Sequence, residues 1–227
     1  MTLGRDLIPG DRPRPPVVGL ILAGGASRRM GSDKAALDVG GVTMLERTVA
    51  VLGALAADRL LIVGGDPGRA GSNVGVVDVV DVVDVVADRW PGEGPLGGLV
   101  TGLAHLADRY GSDALAVVVS CDLPLLRAES LSGLVEGLVR AGPTVEVAAS
   151  VRDGRRQPLH AVYRLTTADS LAASFLAGNR RLDVALDGLA VVERTDSDGS
   201  SEDVDTPDDW RRLRPKADAH SDIPPRV

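Results

Sequence analysis

Val17-Val-Gly-Leu-Ile-Leu-Ala-Gly-Gly-Ala-Ser-Arg-Arg-Met-Gly-Ser-Asp-Lys34 is the stretch that decides the fold. Its first six residues form a short, continuous apolar run, the pattern of a strand covered on both faces. The rest is a glycine-rich loop carrying Arg28 and Arg29 and ending at Lys34. Glycines let backbone approach a ligand closely, and consecutive N–H groups in such a loop converge into an anion-binding nest. The three cations add fixed positive charge, so a buried strand emptying into this loop argues for a polyphosphate, and hence a nucleotide, site. Lysine usage agrees: of 25 basic residues only Lys34 and Lys216 are lysine. A compact ammonium in the loop, in a chain otherwise rich in arginine, points to a need that a planar guanidinium does not meet; the alternative is chance placement on a solvated turn.

Working outward, further apolar runs alternate with amphipathic stretches. Strands are expected at Leu60–Val63, Ala114–Val119, Val145–Val151 and Leu159–Arg164, and helices at Met44–Ala57, Leu96–Ala107, Leu131–Arg140, Asp169–Leu176 and Pro207–Leu213. Pro95 stands near the start of one of these helices, where proline is tolerated. This alternation predicts a mostly parallel sheet with helices on both faces, with ligands bound beyond the carboxyl ends of the strands. The loop 23–34 and the segment 120–124 both leave such ends. Residues 1–16, rich in Pro, Arg and Gly, read as a flexible leader, 17–213 as one domain, and 214–227 as a frayed tail. Val76–Val86 repeats Val-Val-Asp with a period that suits neither helix nor strand well; part of it is expected to be a strand, its aspartates solvated edge charges.

Composition narrows the partners. The 227 residues are 44% hydrophobic but only five are aromatic, so Val, Leu and Ala must fill the core. A net charge of −7 argues against a nucleic-acid surface, which is usually basic. No apolar run reaches the roughly 18 residues of a membrane span, and no signal peptide is recognisable; a soluble cytoplasmic protein is expected. A single cysteine, Cys121, excludes an internal disulfide and a multi-cysteine zinc site. No histidine motif accompanies it, so it reads as a small buried hydrophobe rather than a nucleophile.

Several constellations carry chemistry. Ser120-Cys121-Asp122-Leu123-Pro124 puts a carboxylate at a strand's carboxyl end, facing the expected crevice. Mg²⁺ takes hard oxygen ligands, one or two carboxylates plus substrate phosphates, so Asp122 is either a metal ligand or a turn aspartate bonding its own backbone; the polyphosphate loop in the same sheet favours the metal. Asp203-Val-Asp205-Thr-Pro207 places two carboxylates on one side of an extended segment, and one of them, Asp205, is the choice to complete the metal site. Thr206 is also positioned to cap the following helix, with Asp208 and Asp209 complementing its dipole. Trp90-Pro-Gly-Glu-Gly94-Pro-Leu-Gly97-Gly98 is a second glycine-rich turn, read as backbone brought against a base or sugar through Gly94 and Gly97. Formally it contains a dinucleotide fingerprint, but it does not leave a strand directly as that motif requires. Nor is there a phosphate-binding loop of the Gly-Lys-Ser/Thr type, since Gly25 and Gly31 are wrongly spaced relative to Lys34. Arg152–Arg156 is a basic turn, open to an acidic second substrate or simply a solvated hairpin. His105, His160 and His220 read as scattered surface or packing residues.

Taken together, Leu22–Lys34, Gly94–Leu99, Cys121–Pro124 and Asp203–Asp209 resemble, in order and spacing, the molybdenum cofactor guanylyltransferases, over roughly residues 17–213. The resemblance implies a Rossmann-like three-layer α/β/α sandwich with a mostly parallel central sheet, of the nucleotide-diphospho-sugar transferase type. Gly24-Gly25 and the Gly-Pro-Leu-Gly-Gly turn lean toward guanine. By that resemblance Leu22, Ala23 and Gly24 contact GTP, Lys34 meets its phosphates, Asp122 binds GTP and Mg²⁺, and Asp88, with Asp84 as the alternative, contacts the nucleotide. The chain departs from the family pattern in having Gly64-Gly65 where asparagine is expected, and Asp203 and Asp205 where the family shows Asn-x-Asn-Thr-Pro. The implied reaction is attack of a phosphate on the α-phosphate of GTP, expelling pyrophosphate. Its acceptor is molybdopterin bearing molybdenum, with transient contact to molybdopterin-delivering and molybdoenzyme-maturation proteins. Competing readings are cytidylyl transfer to the same acceptor, nucleotide transfer to a sugar or lactyl phosphate, and a nucleotide-binding module without turnover.

Overall fold

The computed structural model describes residues 14–24, 34–56, 59–64 and 83–219. Among them one seven-stranded sheet carries the chain. Its strands are β1 (Val17–Leu22), β4 (Leu60–Val63), β5 (Val83–Val86), β6 (Leu115–Ser120), β7 (Val147–Arg152), β8 (Arg155–Arg164) and β9 (Val191–Thr195). Their order is β5-β4-β1-β6-β8-β7-β9. The first four are mutually parallel, β8 runs antiparallel to both β6 and β7, and β9 is parallel to β7. The sheet is thus mostly parallel, as expected. A hairpin of β2 (Asp38–Val39) and β3 (Val42–Thr43) stands apart.

Helices α1 (Met44–Ala56), α2 (Pro95–Tyr110), α3 (Ala128–Ala141) and α4 (Ala168–Leu176) flank the sheet, followed by α5 (Leu182–Asp187) and α6 (Pro207–Ala219). Side chains alternate across a strand, and β1 divides accordingly. Val18, Leu20 and Leu22 join Leu96, Leu99, Leu103 and Phe175 on the face covered by α2 and α4. Ile21 joins Val49, Leu52, Leu131 and Leu134 on the face covered by α1 and α3. Glycine sets how closely α2 lies on β1: a Cβ on Gly102 would stand 2.5 Å from Leu20. A third, smaller cluster of Val39, Met44, Leu125, Val204, Leu213 and Ala217 docks α6 and the hairpin beside the carboxyl end of β6.

Register brings that end into line. Leu22 lies level with Val63 on one side and Ser120 on the other, so the loops after β1, β4 and β6 leave the sheet together. Backbone bonds tie them: Ala23 N–H donates to Val63 O (2.9 Å), Cys121 N–H to Leu22 O (3.2 Å) and Gly64 N–H to Val86 O (3.1 Å).

Some expectations change. The C-terminal helix does not stop at Leu213 but continues to Ala219, because Ala217 is buried against the third cluster. The tail drawn at 214–227 therefore begins, among the described residues, as ordered helix. Pro16, drawn into the leader, accepts a hydrogen bond from Leu115 N–H at 2.8 Å. The basic turn Arg152–Arg156 is a hairpin: Asp153 (φ 52°) and Gly154 (φ 72°) form the positive-φ pair that matches strand twist. Of the Val-Val-Asp repeat, Val83–Val86 is strand and residues 76–82 lie outside the described residues. No described helix is long and apolar enough to cross a membrane.

Candidate active site

Lys34, Asp122 and Asp205 meet at the carboxyl edge of the parallel strands. Lys34 opens a short 3-10 turn, Lys34–Ala36, and its Nζ donates to Asp122 Oδ2 at 3.1 Å and Asp205 Oδ1 at 2.8 Å. Burial opposes the ammonium charge, but the hydrogen bond to Asp205 and the charge and hydrogen bond of Asp122 outweigh it and raise the pKa above that of an ordinary lysine. The Lys34 and Asp122 side chains are 16% and 20% exposed and Asp205 57%, so the cluster has a buried floor and an open mouth.

Each member is fixed by its neighbourhood. Asp122 stands two residues past the end of β6, and its carbonyl accepts a bond from Val204 N–H at 3.0 Å. That bond lays the segment 196–206 across the strand end. Asp205 stands just before α6, whose first turn is closed by a reciprocal cap. Asp209 N–H donates to Thr206 Oγ1 (3.2 Å), and Asp209 Oδ2 accepts from Thr206 N–H (2.9 Å) and Asp205 N–H (3.3 Å). This is a capping box with aspartate in the acidic position, so Thr206 caps while Asp205 serves the cluster. Asp203 and Asp205 go to different cations, since Asp203 pairs with Arg152 at 3.0 Å and not with the Lys34 group.

The glycine-rich elements divide by what their missing side chains avoid. Gly64 has φ +80°, and a Cβ there would stand 2.8 Å from Gly24 Cα and N. The loops after β1 and β4 press together, which accounts for glycine where asparagine is the family expectation. Ala23 is half-buried and Gly24 exposed beside it. Leu22, expected to contact the nucleotide, packs its side chain in the core at 6% exposure and gives its carbonyl to Cys121, which leaves its backbone at the strand end for any such contact. Gly94 (φ +91°) turns the chain into α2. At Gly97, also expected at the ligand, a Cβ would stand 3.2 Å from Trp90 and 3.5 Å from Phe175, so the missing side chain lets the helix pack closely there. Gly25, Arg28, Arg29, Gly31 and His220 lie outside the described residues.

The structure also separates Asp88 from Asp84. Asp84 pairs with Arg109 near the far end of α2, away from the strand ends. Asp88 sits just past β5, its Oδ1 accepting from Trp90 N–H at 2.9 Å and lying 3.3 Å from the Thr101 hydroxyl. It holds the turn that leads to Gly92 and Gly94. Opposite, Arg180 pairs with Glu93 (2.7 Å) and lies 4.0 Å above the Phe175 ring, bracing the same turn.

A polar network that the sequence reading missed lies under the segment 196–206. His160 is 1% exposed, with Nδ1 2.6 Å from Ser150 Oγ and Nε2 2.9 Å from Ser200 Oγ. Burial lowers its pKa to about 4, so the ring is neutral. Asp196 accepts from the amides of Ser200 (3.1 Å) and Ser201 (2.9 Å). Burial works against its charge, but the hydroxyl and amide of Ser201 hold its pKa below the usual carboxylate range. The turn-forming run Asp196–Ser201 was the available signal; its link to His160 was not visible.

Among the described residues, no three His, Cys, Asp or Glu side chains gather into a metal cage. Asp122 and Asp205 still fit Mg²⁺: they bring two carboxylate oxygens to one cationic point, and substrate phosphates would supply further oxygens.

The model of the MobA-like NTP transferase domain matches residues 19–192. A probable molybdenum cofactor guanylyltransferase of Chloroflexus aggregans is 33% identical over 178 residues, 77% of this chain and 78% of its own length. One of the same description from Methanothermobacter thermautotrophicus is 32% identical over 169 residues, 74% and 82% of the two chains. The crystal structure of molybdopterin-guanine dinucleotide biosynthesis protein A from Archaeoglobus fulgidus superposes with a TM-score of 0.69, at 24% identity over 88% of this chain and 98% of that one, a likeness of fold. With its three-layer sheet architecture and its cationic and acidic groups at the strand ends, this chain belongs to the MobA-like nucleotidyltransferase family and is a nucleotidyltransferase.

Proposed function

We propose that this nucleotidyltransferase acts in molybdenum cofactor biosynthesis, transferring GMP from GTP to the terminal phosphate of molybdenum-bearing molybdopterin. The observation that carries the reading is the convergence of Lys34, Asp122 and Asp205 on one point at the parallel strand ends. The curated relatives' descriptions supply the cofactor pathway.

Backbone at Gly24, Gly25 and Gly94 would approach the nucleotide, with Asp88 holding the turn beside it. Lys34, with Arg28 and Arg29, would lie against the phosphates. A bound Mg²⁺, held by Asp122 and Asp205, would neutralise phosphate charge and polarise the reacting phosphoryl group. The acceptor's phosphate oxygen forms a bond to the α-phosphorus of GTP. The α–β bridging P–O bond breaks, and its electron pair leaves with pyrophosphate. The attacking phosphate is already ionised at neutral pH, so no proton need be removed. The protein's part is orientation and charge neutralisation in a partly dehydrated site.

The test is pyrophosphate release with GTP, CTP or ATP and each candidate acceptor. GTP with molybdenum-loaded molybdopterin is expected to be the productive pair. Lys34→Ala and Asp122→Ala should each lose activity by about 10²–10³-fold with unchanged circular dichroism. Retained turnover in both variants overturns the site; preference for CTP or for a sugar phosphate overturns the substrate assignment.

A further inference from the structure

The Lys34 ammonium occupies the point where a divalent ion would have to bind. Among its partners are one oxygen of Asp122 and one of Asp205, at 3.1 and 2.8 Å, and these are carboxylates of the kind that a hard cation takes. An ammonium and a divalent ion cannot share that point: they need the same oxygens, and like charges repel strongly in a half-buried site. We propose that Lys34 is a resident counter-ion that exchanges with the incoming metal, leaving Asp122 and Asp205 for the triphosphate as the metal takes its place. The inference rests on the nucleotide-and-metal reading of the site and adds its order of assembly.

The consequence is thermodynamic coupling. Metal alone must displace the ammonium from both carboxylates. Metal arriving with a triphosphate offers the ammonium a new anionic partner. The enzyme therefore binds metal weakly without nucleotide and the two ligands strengthen each other, as reciprocal linkage requires. Chain composition makes the exchange observable, since Lys34 and Lys216 are the only lysines. Lysine selectively labelled with ¹³C at Cε should give two resonances, assigned with Lys216→Arg.

The experiment has two arms, both without turnover. In the first, Mn²⁺ alone is titrated against the intact chain and Lys34→Met, following water-proton relaxation. The variant should bind Mn²⁺ at least tenfold more tightly, and adding Asp205→Asn to it should remove the gain. In the second, Mg²⁺ is added to labelled wild-type chain; the Lys34 resonance should move as the metal site fills while that of Lys216 stays in place. Equal Mn²⁺ affinity in wild type and Lys34→Met, or a Lys34 signal unmoved at saturating Mg²⁺, overturns the exchange. Should Lys34→Met not fold, the second arm decides alone. If the exchange holds but no nucleotide binds, the proposed function fails and the exchange stands; if guanylyl transfer is active but Lys34→Met gains no metal affinity, the reverse is true.

Discussion

The two halves of the sheet are built by different means. On the parallel side, β1, β4 and α2 meet through missing side chains: Gly24 against Gly64, and Gly102 against Leu20. On the antiparallel side, around β7 and β8, side-chain hydrogen bonds do the fastening: His160 between Ser150 and Ser200, Asp196 with Ser200 and Ser201, Arg152 with Asp203. The contrast fits the proposed function. A nucleotide's phosphates are reached by backbone N–H groups, and a Cβ stands in the way. The segment 196–206, which delivers Asp205, has little regular structure of its own and needs side-chain anchors to hold position. One half is therefore the more sensitive to added atoms, and the other to lost hydrogen bonds.

The sharpest way to break the comparison is to add atoms on the parallel side. Gly64→Val would force a β-branched residue to φ +80° with its Cβ 2.8 Å from Gly24 Cα and N. Left-handed backbone strain and overpacking together should cost about 4 kcal/mol, read as a fall in urea midpoint, with nucleotide binding lost even where the fold survives. Gly64→Ala should show the same direction at smaller size. A Gly64→Val chain of wild-type stability would mean that the two loops do not touch.

Acid separates the halves next. His160 has a folded pKa of about 4, below the ordinary 6.5, because burial disfavours its charged form. As pH falls, the unfolded chain takes up the proton first. The stability contribution is full above about pH 6.5, is lost progressively down to about pH 4 and changes little below it, amounting to about 3 kcal/mol. The groups facing the ring are Ser150, Ser200, Asp196 and Arg152. Asp196, whose pKa lies below the usual carboxylate value, releases its contribution at still lower pH. The measurement is the difference in urea-unfolding free energy between wild type and His160→Gln from pH 7 to 3.5. Parallel curves would show that the histidine is not buried neutral.

What the sequence disclosed follows the same division. The runs Val17–Leu22 and Leu60–Val63 are strands with those limits, because a strand covered on both faces is apolar at every position. Lys34, Asp122 and Asp205 stood out because Lys34 ends the glycine-rich loop after such a run, Asp122 follows another, and Asp205 precedes a capped helix. Edge elements were not: β9 reads Val-Val-Glu-Arg-Thr and α5 has six residues, too short and mixed for a periodic signal. The reason for glycine at 64 needed its contact with Gly24, forty residues away in sequence. The bond between His160 and Ser200 likewise spans 40 positions and depends on where the segment 196–206 crosses the sheet. That the Leu22 side chain and the open side of Gly97 face the core was not legible, because motif membership does not say which way a side chain, or its absence, faces.

On the antiparallel side, a lost anchor should cost less in stability than in placement. Arg152→Ala removes the pair with Asp203, whose side chains are 24% and 43% exposed, so solvent screening limits the loss to about 1 kcal/mol. Asp203 stands two residues from Asp205 on the same segment. The expected signature is a raised KM for the acceptor with GTP binding unchanged, measured by steady-state kinetics and nucleotide titration. A change in GTP affinity of equal size would dissolve the division between the halves.

The smallest effect tests a place where the parallel side borrows the other's method. Arg180 reaches from the loop after α4 to Glu93 and lies over Phe175, and its carbonyl stands 3.7 Å from where a Cβ of Gly94 would be. The turn at Gly92–Gly94, with positive φ at both glycines, thus gains side-chain bracing that Gly24 and Gly64 lack. The pair is about half exposed, so Arg180→Ala should lower stability by only about 0.5 kcal/mol. Its kinetic effect should fall on the nucleotide: an increase of about two- to threefold in KM for GTP, none in KM for the acceptor, and little change in kcat. Arg180→Lys, which keeps the charge near Glu93 but loses the planar stack on Phe175, should lie between the two. If Arg180→Ala instead alters acceptor binding, then the turn at 92–94 faces the second substrate, and the nucleotide must be held by the β1 and β4 loops without it.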